Sequence, residues 1–159
     1  MTKTLDVERI MHRAGELCSQ SGARLTDKRA KLLEILVRSE TPMSAYELAD
    51  QYNRQAEQSM PAMSVYRILD FLEQEQLVHK LSSTNKYLAC AHIACAHEHE
   101  IPQFLICRSC QKVKEIGIKS SIVEELSAQV GKAGFKLMNS QLELDCLCKA
   151  CAKMENVAS

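Results

Sequence analysis

Phe104–Ile116 reads FLICRSCQKVKEI and Leu147–Cys151 reads LCKAC, so each segment carries two cysteines separated by two residues, Cys107 with Cys110 and Cys148 with Cys151. A CxxC turn lets both sulfurs reach one ion at about 2.3 Å, and two such turns close a tetrahedral, all-thiolate shell with no position left open. The pairs predict a structural zinc site. Between them lie 37 residues, 111–147, more than the roughly 12 to 20 of compact zinc modules. The metal must therefore staple a domain that has secondary structure of its own. Phe104–Cys107 reads as an apolar strand, the CRSC knuckle turns it, and Lys112–Ile116 returns as its hairpin partner.

Downstream of the knuckle, Ser121–Ala133 is predicted helical, with Ile122, Leu126, Gln129 and Val130 on adjoining turns and Gly131 and Gly134 ending it. Phe135–Leu144 then alternates into the second cysteine pair. Strand, strand, helix, strand implies a small sheet backed by one helix. One helix covers one face only, which leaves the other face, or an edge strand, to a second copy in a twofold homodimer.

Upstream, the hydrophobic period is helical. Ile10, Ala14 and Leu17 repeat at helical spacing before Gly22, and Thr26 caps a second helix carrying Ala30, Leu33 and Val37. Ser44 and Glu47 form a capping box for a third helix with Leu48 and Tyr52. Pro61 and Ser64 precede a fourth helix, whose stripe is Val65, Ile68, Leu69 and Leu72. The period then changes to two. Val78–Leu81, the polar turn Ser82–Asn85 and Lys86–Cys90 read as a hairpin. Helices in series followed by a hairpin suggest a winged helix-turn-helix and an α+β chain.

Composition narrows the chemistry. The first 20 residues are amphipathic and charged, and nowhere do about 18 apolar residues run together, so a soluble cytoplasmic chain with no membrane partner is expected. Eight cysteines in a reducing compartment point to metal or redox chemistry more than to disulfides. Formal net charge is +0, and residues 1–84 hold 11 Lys and Arg against 12 Asp and Glu. Nucleic-acid binding must then rest on a few local contacts. A second ligand cluster lies at the junction of the halves. His79, Cys90, His92, Cys95, His97, Glu98, His99, Glu100 and Glu115 include four of the five histidines. A mixed N, S, O shell for zinc can be drawn from them.

RLTDKR at Arg24–Arg29, SAYELAD at Ser44–Asp50, SVYRILDFL at Ser64–Leu72, LVHKLSSTNKYLAC at Leu77–Cys90, FLICRSCQKVKE and LCKAC together resemble the ferric uptake regulator family of metal-responsive transcription factors, in particular its zinc uptake regulator branch. The resemblance spans about residues 5–152. It implies a winged-helix DNA-binding domain at 1–84, a hinge at 85–90, and a dimerisation and metal-binding domain at 91–159. It implies structural zinc on Cys107, Cys110, Cys148 and Cys151. A regulatory zinc falls on His79, Cys90, a loop histidine and Glu115. His99 is the first choice for that histidine and His97 the alternative, with Cys95 and His92 as lesser substitutes. Two Zn2+ per protomer follow, one structural and one regulatory.

The same resemblance implies a repressor that binds palindromic double-stranded operator DNA as a zinc-loaded homodimer and controls zinc-uptake genes. It would be neither an enzyme nor a binder of a small-molecule substrate. Tyr66 and Arg67 are the expected base-reading residues, Tyr46 and Ser64 phosphate donors, and Arg24, Lys28 and Lys80 backbone contacts. Asp27 stands where the family pattern usually has proline. An iron- or peroxide-responsive regulator of the same family is the nearest competing reading, the latter with Cys95 or Cys146 as the oxidisable thiol. A zinc hydrolase using Glu98 or Glu100 lacks an HExxH, and a zinc-stapled protein-interaction module would dispense with DNA.

Overall fold

The computed structural model describes residues 2–95 and 100–158, with side chains at 6–95 and 100–156. The chain divides into two compact units, Met1–Ala96 and His97–Ser159, and it is α+β.

The first unit contains α1 (Thr2–Gln20), α2 (Asp27–Arg38), α3 (Ala45–Gln55), α4 (Ala62–Gln74), β1 (Val78–Leu81) and β2 (Lys86–Ala89). Gly22 follows α1 at φ 79°, a left-handed conformation that costs glycine nothing and so ends the helix. On α2 the fully buried residues are Leu32, Leu33, Ile35 and Leu36. The expected stripe of Ala30, Leu33 and Val37 is therefore rotated, because α2 packs against both α3 and α4 and needs a wider apolar face than three residues define. Arg29 lies 3.7 Å from the centre of the Phe71 ring, a cation–π contact that ties α2 to α4.

Ser44 and Glu47 cap α3 as expected: the Glu47 amide donates to Ser44 Oγ at 3.1 Å, and the Ser44 amide donates to Glu47 Oε2 at 2.8 Å. Leu48 and Tyr52 are buried on its inner face. Helix α4 begins at Ala62 with Pro61 as N-cap. Ser64 thus lies inside its first turn and does not precede it, since proline's fixed φ suits a helix start without any side-chain cap. Val65, Leu69 and Leu72 are buried and Ile68 packs at the edge. The wing pairs Val78 with Ala89 through to Leu81 with Lys86, turning at Asn85 (φ 56°). Residues 85–90, expected as a hinge, are largely the second wing strand, and Tyr87, Cys90 and Ile93 belong to the same core as Leu33 and Leu69.

The second unit contains β3 (Ile101–Cys107), β4 (Val113–Ile118), α5 (Ser120–Lys132), β5 (Glu143–Cys146) and α6 (Lys149–Ala158). The strand order is β4-β3-β5, with β3 antiparallel to β4 and parallel to β5. Strand β5 is shorter than the alternating run 135–144 suggested. The side chain of Gln103, 1% exposed, occupies the place of further ladder bonds. Its Nε2 donates to the Ser140 carbonyl and its Oε1 accepts from the Leu142 amide, each at 2.7 Å. Helix α5 has no buried residue, so in the single chain it does not back the sheet as expected. Helix α6 is an element beyond those the sequence predicts: it grows directly from the second cysteine pair, with the Ala152 amide donating to the Cys148 carbonyl at 2.8 Å. Among the described residues no helix is long and apolar enough to cross a membrane.

Candidate metal centre and nucleic-acid face

Cys107 ends β3, Cys110 follows in the turn, Cys148 lies between β5 and α6, and Cys151 is in the first turn of α6. The parallel pairing of Cys107 with Cys146 and the bond from the Arg108 amide to the Cys146 carbonyl (2.9 Å) bring the two knuckles side by side. Gln111, at φ 64°, closes the first turn by donating its amide to the Cys107 carbonyl. All four sulfurs lie within 4.8 Å of one another, and those of Cys110 and Cys148 are 3.8 Å apart. Four sulfurs at about 2.3 Å from a tetrahedral ion have edges of about 3.8 Å. A disulfide would need about 2.05 Å, and among the described residues no two of the eight cysteines are joined by one. The donor set and its spacing fit zinc.

The electrostatics agree. Backbone N–H groups of Cys110 and Cys148, and then of Ser109, point at the Cys107 sulfur and lower its pKa to about 6. The Cys151 amide similarly lowers that of Cys148. Cys151 is pushed up to about 12, chiefly by the Cys148 side chain, because neighbouring sulfurs that share a small volume cannot all ionise without a cation. A divalent metal removes that conflict and releases the proton.

In the first unit, His79 on β1 and Cys90 just past β2 bring ligand atoms within 4.8 Å of each other. The Cys90 amide donates to the Leu77 carbonyl at 2.9 Å, which holds the thiol at the base of the wing. The His92 amide approaches the Cys90 sulfur at 3.4 Å. In the second unit, Glu115 sits half-buried on β4 opposite Phe104. His99 and its alternative His97 lie outside the described residues, as does Glu98. Cys95 is exposed and Cys146 half-buried.

The expected DNA-reading residues share the first unit. Tyr66 and Arg67 are on the first two turns of α4, Tyr66 half-buried and Arg67 exposed. Tyr46, 67% exposed on α3, meets the Tyr66 ring edge-on at 6.3 Å. Ser64 is half-buried in the first turn of α4. Arg24 and Lys28 are exposed around the start of α2, where the Arg24 carbonyl accepts from Arg29 Nη1 at 2.7 Å. Lys80 projects from the wing with its Nζ 5.8 Å from the Tyr87 ring centre. One further exposed side chain escaped the sequence reading: Met63, 67% exposed. Its signal was positional, three and four residues before Tyr66 and Arg67.

The model of the family described as "Ferric uptake regulator family" matches residues 20–145. A zinc uptake regulation protein of Escherichia coli (strain K12) is 35% identical over 155 residues, covering 98% of this chain and 88% of that protein. A solved zinc uptake regulator complexed with zinc and DNA superimposes with a TM-score of 0.79 at 30% identity, covering 94% of this chain and 97% of that one. A holo XcZur crystal structure gives 0.74 at 36% identity, covering 90% and 96%. Sulfur spacing, the winged helical unit and similarity along nearly the whole length agree that this chain belongs to the ferric uptake regulator family of metal-responsive transcription regulators, proteins that are not enzymes.

Proposed function

We propose that this chain is a zinc-responsive repressor that binds palindromic operator DNA as a zinc-loaded homodimer and controls zinc-uptake genes in the cytoplasm. The observation that carries the reading is the His79 and Cys90 pair, an imidazole nitrogen and a cysteine sulfur within 4.8 Å of each other at the base of the wing. Soft sulfur beside nitrogen favours zinc over iron. Glu115 and a loop histidine, His99 or else His97, would complete a four-ligand shell, for a total of two Zn2+ per protomer with the four-cysteine site. Similarity to zinc uptake regulators, one of them solved with zinc and DNA, supports the same conclusion.

In this reading the first unit is the DNA reader and the second the dimeriser. An ion that takes ligands from both is complete in one arrangement of the two, so zinc shifts the equilibrium toward that arrangement. Two α4 helices would then enter successive major grooves about 34 Å apart. Tyr66 and Arg67 would read bases, with Tyr46, Ser64, Arg24, Lys28 and Lys80 on phosphates. In the second unit, Ile122, Phe135 and Met138 are 54%, 75% and 84% exposed. Apolar exposure of this size supports burial against a second copy. The test is a gel-shift titration on a selected palindrome at controlled free zinc, with sedimentation of the complex. Zinc-dependent binding by a dimer supports the proposal, and equal affinity with and without zinc refutes it.

A further inference from the structure

Met63 lies in the first turn of α4 and is 67% exposed. At 100° per residue it projects between Tyr66 and Arg67, while Val65, Leu69 and Leu72 fill the opposite, buried face. The three therefore form one outward patch at the N-terminal end of the helix. Tyr46, itself 67% exposed, extends that patch by its edge-on contact with Tyr66. The first turn of α4 carries no acidic residue, so nothing there repels phosphate and the helix dipole attracts it. An arginine on this patch can read guanine through its paired N–H groups, but a thioether has no hydrogen-bond donor and only a weak acceptor. What it offers is flexible, polarizable apolar surface. In the major groove the apolar feature that distinguishes one base from the rest is the C5-methyl group of thymine.

From this placement, and resting on the reading of α4 as the DNA-reading helix, we infer that Met63 is a specificity-determining residue that packs against a thymine methyl group in each operator half-site. With a formal net charge of +0 the chain has little nonspecific attraction for phosphate to draw on. Apolar discrimination beside Arg67 adds selectivity without adding charge.

The test uses the full-length zinc-loaded protein. An operator is first selected by the wild type from random duplexes. Each thymine is then replaced in turn by deoxyuridine, which removes the methyl group and nothing else, and binding is measured for wild type, Met63→Ala and Met63→Leu. The expected result is one thymine position per half-site at which methyl removal weakens the wild type about fourfold. Met63→Ala should bind the unmodified operator about fourfold more weakly and be indifferent to deoxyuridine at that position, whereas Met63→Leu should keep the sensitivity. If Met63→Ala remains as sensitive as the wild type at every thymine, Met63 does not read the methyl, although α4 still reads DNA. If the wild type selects no sequence, the reading of α4 fails and the inference falls with it. Because Met63 is exposed, unchanged thermal melting of the variants verifies that the comparison concerns recognition.

Discussion

The sulfurs of Cys110 and Cys148 stand 3.8 Å apart although 37 residues separate them in the chain. That distance is too long for a disulfide and matches the edge of a zinc-centred tetrahedron. Among the described residues of the second unit the buried apolar side chains are few, namely Phe104, Ile106, Cys107 and Cys151. So small a core needs a staple.

Metal removal should therefore unfold the second unit and leave the first. Structural zinc contributes about 10 to 16 kcal/mol of apparent binding energy, more than a core of this size supplies. Cys110→Ser or Cys148→Ser should lose at least the four-cysteine zinc by native mass spectrometry and the thermal transition of the second unit. Retention of a cooperative second unit without zinc would show that the knuckles are ornamental.

The capping box offers a test in the first unit. Ser44→Ala should cost about 1 kcal/mol, which lowers the melting temperature by about 4 to 8 °C for a unit of this size. Glu47 is held below the usual carboxylate range chiefly by the donated Ser44 amide, assisted by Lys86. A carboxylate with a depressed folded-state pKa stabilises above its unfolded value, and the effect fades as pH falls through the folded one. The deficit of Glu47→Gln should thus be largest near neutrality and vanish in acid, as read from melts across pH.

Much of this was legible beforehand because short-range rules sufficed. The capping box needs only residues three apart, the wing needs only alternation around a polar turn, and the knuckles need only CxxC. The exceptions share a physical cause. The buried face of α2 differs from the stripe its spacing predicts because two partners widen it. Ser64 lies inside α4 and not before it because the N-cap is Pro61, which makes no side-chain cap bond. The sequence does not reveal that α5 is left without a buried residue in one chain, since its half-apolar face suits either an internal sheet or another molecule. Gln103 stands just before the predicted strand Phe104–Cys107, and nothing local in the sequence signals the bonds its amide makes to Ser140 and Leu142. Of the candidate site, the four cysteines and the pairing of His79 with Cys90 emerge together, while His99 and His97 lie outside the described residues.

Gly117 is tight against the chain. A Cβ added there would meet the Glu100 carboxylate and stand 2.6 Å from Glu100 Cβ. Gly117→Ala should destabilise the second unit by about 1 to 3 kcal/mol, and Glu100→Gly in the same chain should restore most of the loss, because only removal of that Cβ opens the space. Denaturant melts of the single and double variants measure the coupling. Additive effects would mean that the strand gives way instead.

Base and phosphate contacts separate by their salt dependence. Arg67→Ala should weaken operator binding by about 1 to 3 kcal/mol and relax selectivity at one base pair. Lys28→Ala should weaken all duplexes alike and reduce the salt slope by about 1. Fluorescence anisotropy at several salt concentrations distinguishes the two. Identical behaviour of the variants would remove Arg67 from base reading.

Zinc held by His79 and Cys90 is proposed to switch DNA binding, and operator affinity as a function of free zinc, compared between wild type and Cys90→Ser, measures that switch. The wild type should bind about 5- to 150-fold more tightly once zinc is saturating, while Cys90→Ser keeps its four-cysteine zinc and stays at the weak-binding level. Equal, zinc-dependent affinity in both proteins would remove Cys90 from the switch.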